Sequence, residues 1–188
     1  MPKFKDTYNE TIAKKLMTDL KVKNSMALPK LKKVVVNVGI GGNKSNPKLT
    51  EIVTANLLAI TGQRPVIRRA RKAISGFKVR TGDEVGLMVT LRGQRMYDFI
   101  QKVAHITLPR LRDFRGLDLK SFDQAGNMTI GFKEQLIFPE ITNEKAEVVH
   151  GLEVTMIINS YNPEHSEKLL VALGFPFKKS VQVKEQNG

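Results

Sequence analysis

The stretch from Leu31 to Ile40 constrains the fold more than any other part of the chain, because Val34, Val36, Val38 and Ile40 recur at every second position. Successive side chains of an extended chain point to opposite faces. The spacing therefore predicts a strand with one apolar face and with Lys33, Val35 and Asn37 on the other. Such a strand belongs in a sheet that is covered on one side only. Val85 to Arg92 repeats the pattern, with Val85, Leu87, Val89 and Leu91 facing one way and Gly86, Met88, Thr90 and Arg92 the other. Two more strands follow: Met128, Ile130 and Phe132 after the turn signal Gln124-Ala125-Gly126-Asn127, then Leu152, Val154, Met156 and Ile158. Pro65 to Arg71 is expected to be extended, with a loop bracketed by Ser75-Gly76 and Thr81-Gly82.

Between these segments the period lengthens to that of a helix. Over residues 7–20, Tyr8, Ile12, Leu16 and Leu20 fall four apart and make one apolar stripe. Asn46-Pro47 has the form of an N-cap with proline in the first turn, and Leu49, Ile52, Val53, Leu57 and Ile60 carry a helix to a stop at Gly62. Met96 to Leu108 places Tyr97, Ile100, Val103 and Ala104 at helical spacing and should end near Pro109. Asn162-Pro163 repeats the capping signature for a last helix, Glu164 to Leu173, closed by Gly174. Half-apolar strands interleaved with amphipathic helices imply an α+β two-layer sandwich: a mostly antiparallel sheet with helices on one face and the other face open. The 188 residues suffice for one core, so residues 1–179 are expected to form a single domain and residues 180–188 a flexible tail. No apolar run approaches membrane-spanning length, and the N-terminus has no secretion-signal pattern, so a cytoplasmic address is expected.

The charge is unevenly placed. Residues 1–94 carry 19 Lys and Arg against 6 Asp and Glu, while residues 95–188 carry 12 of each sign, so all of the net +13 lies in the first half. Between Gln63 and Arg80 there are seven cations (Arg64, Arg68, Arg69, Arg71, Lys72, Lys78 and Arg80) and no acid. A run of one sign suits a polyanion, since each neutralised phosphate releases a condensed counterion, whereas a merely solvated face usually mixes both signs. The two strands of the basic half project Lys33, Asn37, Thr90 and Arg92 onto the open sheet face, which makes that face a candidate RNA platform. Phe77, set between Gly76 and Lys78, is a candidate for stacking on a base, or else a loop anchor.

Catalytic chemistry finds little support. The absence of cysteine excludes thiol nucleophiles, disulfides and thiolate zinc sites. The glycine-rich stretch Gly39 to Ser45 lies where a phosphate loop would, but the spacing fails, because Val38 and Asn43 occupy the positions that a Lys44-Ser45 P-loop requires to be glycine. His105, His150 and His165 show no ligand spacing, and no cofactor or metal is expected. Carboxylates gather between Asp123 and Glu153, with Glu134, Glu140, Glu144 and Glu147 between, but no pair is fixed at a working separation. A solvated acidic face or a docking surface for a basic protein accounts for them better than catalysis. An RNA-processing or RNA-modifying enzyme, or a general RNA chaperone, remains the alternative to a structural RNA-binding protein.

Four ordered stretches carry a family resemblance: Ile60 to Gln63 through Ala70 to Arg80, Val89 to Gly93, Pro109 to Leu117, and Glu134 to Ile141. Together with Phe175-Pro176-Phe177-Lys178-Lys179, they resemble the bacterial form of large-subunit ribosomal protein five. The resemblance implies a non-enzymatic protein of the central protuberance that holds 5S rRNA, with 23S rRNA and neighbouring 5S-associated proteins beside it. By matching position it assigns Asn37, Gln63 and Thr90 to the 5S rRNA surface, joined by the basic residues Lys33, Arg64, Arg69, Arg71, Lys72 and Arg92. It makes the loop from Ser75 to Glu84, with Gly76, Phe77, Lys78, Val79 and Arg80, the contact to peptidyl-site tRNA. It also implies a bridge to small-subunit protein thirteen through Arg110, Arg112, Asp113 and Arg115 and the acidic residues Glu144 and Glu147. Arg68 departs from the small hydroxyl residue usual at its position.

Overall fold

The computed structural model describes residues 8, 12–41, 48–112, 114–141, 148–160 and 162–178. The alternating segments become strands β1 (Lys30–Gly39), β2 (Val66–Arg69), β3 (Glu84–Leu91), β4 (Met128–Phe132) and β5 (Leu152–Asn159). They form one five-stranded sheet in the order β2-β3-β1-β5-β4, with every neighbouring pair antiparallel. The apolar members of each alternation (Val34, Val36 and Val38, Leu87, Val89 and Leu91, Val154 and Met156, Met128 and Ile130) are buried against the helices. Val35, Asn37, Met88, Thr90, Thr155 and Ile157 are only half-buried, which is the signature of a face with no layer over it. The α+β expectation therefore stands, including the open face.

Helices α1 (Ala13–Leu20), α2 (Leu49–Thr61), α3 (Gly93–Lys102) and α4 (Pro163–Ala172) supply the second layer. Tyr8, Ile12 and Leu16 lie in the core as the four-residue spacing requires, although most of the chain before Ala13, like the Asn46-Pro47 cap, falls outside the described residues. Gly62 adopts φ +67 and its N–H donates to the Leu58 carbonyl, so α2 stops where expected. Asn162 caps α4 by accepting a 2.9 Å bond from the His165 N–H, with Pro163 in the first turn.

Two departures have physical causes. The third helix begins three residues earlier than the spacing suggests, and although it ends near Pro109 as expected, α3 reaches that end through a π-helical turn, Val103–Thr107, and a last turn, Leu108–Arg110, that takes in the proline. Proline has no N–H and crowds the carbonyl four residues back, and a widened turn, with the Leu108 N–H reaching back to Val103, makes room for it. In β1, a bulge between Leu31 and Lys33 inserts Lys32 as an extra residue. That extra residue is why Leu31 is buried with Val34 instead of facing out with Lys33.

Candidate nucleic-acid interface

The register fixes what the open face carries. Thr90 lies opposite Val35, and Val35 opposite Thr155; Met88 lies opposite Asn37, and Asn37 opposite Glu153. Thr90 and Asn37 thus sit on adjacent strands in neighbouring rows of the same face. Gln63 joins them from the end of α2: its side-chain Nε2 donates to the Thr90 carbonyl at 3.2 Å, while its own N–H donates to the Thr61 hydroxyl. Three residues widely separated in sequence therefore meet in one small area. Among the described residues, neither the Asn37 carboxamide nor the Thr90 hydroxyl has a hydrogen-bond partner, although both are half-buried. Neither group's polar atoms are buried, so both are open to solvent and available to a ligand. Further along the sheet, by contrast, Thr129 and Thr155 bond each other at 3.2 Å.

Cations border this area unevenly. Lys33 shares the face of Asn37 and is half-buried, and Arg64 and Arg92 are exposed at the end of the sheet near Gln63 and Thr90. Arg68 lies opposite Gly86 on the open face. Arg69 goes elsewhere, and a register shift after Arg68 pairs it with Glu84. Its guanidinium is 3.7 Å from the Glu84 carboxylate, which also accepts from the Thr50 hydroxyl in the first turn of α2. Arg69 follows Arg68 on β2 and so alternates to the other side of the sheet, and the extra residue Val85 in β3 brings Glu84 to that same side. On the opposite flank, Glu153 adds a negative charge beside Asn37, so a polyanion is favoured over β2, β3 and β1 and disfavoured over β5.

The β2–β3 connection, which holds Arg71 and Lys72, projects from the edge of the sheet. Residues 71–78 are all exposed. Two backbone bonds between Ile74 and Val79, at 2.9 and 3.1 Å, pin its outer turn, and Ala70 N–H to Asp83 at 2.8 Å closes its base. Ser75–Phe77 forms a short 3-10 turn, and Lys78 takes a left-handed conformation at φ 50. Phe77 is 76% exposed, so it is not folded back as a loop anchor. Gly76, Lys78 and Arg80 stand exposed around it, and Val79 is half-buried.

At the same end of the strands, beside β4, a groove of about 870 Å³ is lined by Arg110, Arg112, Arg115, Lys133 and Lys178, with Phe114 in its wall and Glu134 as an acidic member. Asp113, Glu144 and Glu147 lie outside the described residues. The carboxylates between Asp123 and Glu153 do not form one acidic face among the described residues. Asp123 closes the Gln124–Asn127 turn by accepting from Asn127, Glu140 pairs with Lys102 at 2.5 Å, and Glu153 lies on the open sheet face. Strand alternation and local capping scatter what the linear sequence gathers.

His150 and His105 are likewise held in the packing of the domain, while the His165 Nδ1 is buried without a partner among the described residues. The His150 ring Nε2 is 3.2 Å from the Asn56 amide nitrogen, and its backbone N–H donates to Gln135 at 2.7 Å. Burial holds its pKa below the ordinary histidine value. His105 packs against Gly174. Among the described residues no group of three His, Asp or Glu is placed to hold a metal ion, and no helix is long and apolar enough to cross a membrane.

The model of the family described as ribosomal protein L5 matches residues 24–80, and the model of that ribosomal family's C-terminus matches residues 84–177. A protein of Carboxydothermus hydrogenoformans named large ribosomal subunit protein uL5 is 48% identical over 179 residues, covering 95% of this chain and 100% of its own length. Its namesake in Halothermothrix orenii is 47% identical, covering 92% of this chain and 96% of the relative. Another, in Acholeplasma laidlawii, is 46% identical over 94% of this chain and 98% of the relative. The chain belongs to the ribosomal protein L5 family, and it is a structural protein of the ribosome and not an enzyme.

Proposed function

We propose that this protein, as a constituent of the large subunit of cytoplasmic ribosomes, binds 5S rRNA through the open face of β2, β3 and β1 and fastens it in the central protuberance, next to 23S rRNA and the neighbouring 5S-associated proteins. The observation that carries the reading is the pair of unpartnered polar groups, Asn37 and Thr90, side by side on an uncovered face in the basic half. Lys33, Arg64 and Arg92 would position the phosphates, and Asn37, Thr90 and Gln63 would supply directed hydrogen bonds. Phe77, on its projecting loop with Lys78 and Arg80, is suited to stacking on peptidyl-site tRNA. For the bridge to small-subunit protein thirteen, a basic partner is attracted by the segment holding Glu144 and Glu147 and repelled by the cations around Arg110, Arg112 and Arg115.

Competition filter binding between 5S rRNA and an unrelated RNA of equal length is the direct test. A strong preference for 5S rRNA is expected, and equal affinity would make the protein a general RNA chaperone. Asn37→Ala and Thr90→Ala should each weaken 5S binding by about 1–3 kcal/mol, because RNA groups are left buried and unpaired. Wild-type affinity in both variants would refute the assignment of this face.

A further inference from the structure

At the Gly39 end of the open face, three adjacent strands present one cation and two missing side chains. Arg68 on β2 lies opposite Gly86 on β3, and Gly86 opposite Gly39 on β1. Arg68 is exposed and, among the described residues, has neither an ion pair nor a hydrogen bond, whereas the bulge beside it commits Arg69 to Glu84. Gly86 cannot carry a side chain, because a Cβ there would sit 2.7 Å from the Val38 carbonyl oxygen. Gly39 has no such constraint among the described residues: it is exposed, its φ is not positive, and a Cβ would meet none of them within 4 Å. Bareness at Gly39 is thus not required by the fold around it.

We infer that Arg68 and the bare strand at Gly39 form a slot for one backbone phosphate of the bound RNA, beyond the Asn37–Thr90 pair. This rests on the reading of the open face as the 5S rRNA surface. A phosphodiester needs a donor that can engage two of its oxygens and a place where its bulk can approach the chain, and a guanidinium beside a glycine backbone offers both. Arg68 and Gly39 are two strand spacings apart, roughly 10 Å, so a phosphate group lies between them within reach of an extended arginine. Glu153, the acid on this face beside Asn37, is three spacings from Arg68, roughly 14 Å. That exceeds the screening length of about 10 Å at 0.1 M salt, so Glu153 does not neutralise Arg68, and being nearer Gly39 it biases the phosphate toward the Arg68 side of the slot.

The test measures 5S rRNA affinity against salt for the full chain, with thermal midpoints as the folding control. Removing one phosphate contact flattens the log–log salt slope by roughly 0.7–0.9, so the affinity advantage of wild type over Arg68→Gln should shrink about threefold between about 50 and 200 mM salt. Arg68→Lys should keep most of the slope. Gly39→Val should melt like wild type yet bind more weakly, and should add little further loss in the Arg68→Gln background, because both changes remove the same interaction. An unchanged slope and affinity in Arg68→Gln would overturn the slot, as would full additivity of the two losses. If Asn37→Ala and Thr90→Ala also bind normally, the reading of the whole face has failed; if they bind weakly while Arg68→Gln does not, the slot alone has failed.

Discussion

Replacing Gly116 by alanine should release the C-terminal segment from the loop that follows the long helix. Gly116 has φ +100, and a Cβ there would lie 2.8 Å from the Lys178 nitrogen and 2.9 Å from the Phe177 carbonyl carbon. Both are backbone atoms, so no side-chain rotation relieves the clash. The chain has to separate where the Leu117 N–H donates to Pro176 at 2.8 Å and the Lys178 N–H donates to Leu117 at 3.0 Å. The left-handed backbone costs an alanine about 1–2 kcal/mol. Two exchanged hydrogen bonds cost about 0.5–1.5 kcal/mol each, for a total of about 2–5 kcal/mol. In a chain of this size each kcal/mol lowers the melting temperature by about 2–4 °C, so a loss near the middle of the range shifts it by roughly 7–14 °C. Urea and thermal unfolding should be compared with Gly39→Ala, the same chemical change with open space around it, which should stay within about 1 kcal/mol of wild type. A Gly116→Ala protein that unfolds within about 1 kcal/mol of wild type would show that the clash and its cost are misassigned.

Three further outcomes follow from other sites. Burial depresses the His150 pKa, so the unfolded chain binds the proton more readily; stability is complete above the ordinary value of 6.5 and falls as pH drops toward the depressed native one. His150→Gln, which keeps an amide able to meet Asn56, should remove the part of the decline in urea midpoint between about pH 7.5 and 5.5 that belongs to His150, and an unchanged decline would refute the assignment. Phe138 is fully buried between the rings of Phe99 and Phe132, at 6.3 and 5.7 Å, so Phe138→Ala should cost about 3–5 kcal/mol in urea unfolding. Replacing Lys78 and Arg80 together by alanine should leave 5S rRNA binding nearly intact while speeding release of peptidyl-site tRNA from ribosomes; equal loss of both would assign the loop to the rRNA surface.

Much of the fold was legible because strand parity and helix spacing are local. Val34, Val36 and Val38 declare their face without reference to the rest of the molecule, and Asn162-Pro163 declares a helix start. Each bulge escaped such reading because it depends on a partner strand. Lys32 is an extra residue only relative to β5, and Glu84 comes round to Arg69 only because Val85 is an extra residue relative to β2. The π-helical turn before Pro109 escaped for a similar reason, since a proline signals a helix stop unless the preceding turn can widen. At the site, Asn37 and Thr90 were placed on one face by parity, but their adjacency and the bond from Gln63 required the pairing of β1 with β3. The spread of Asp123, Glu140 and Glu153 over different surfaces was not legible either, because it depends on the turn, the Lys102 pairing and the strand face that each one joins.

The strand order has a consequence for how far apart this protein can hold two things. The loop with Phe77 hangs from β2 and β3 at one edge of the sheet, and the groove with Arg112 is built beside β4 at the other edge, both at the same end of the strands. Four inter-strand steps separate those edges, about 19 Å in all. Hydrogen-bonded strands neither stretch nor compress, so the span acts as a fixed gauge. Substitutions in either loop change what is touched at each end, while the separation changes only if a strand is gained or removed.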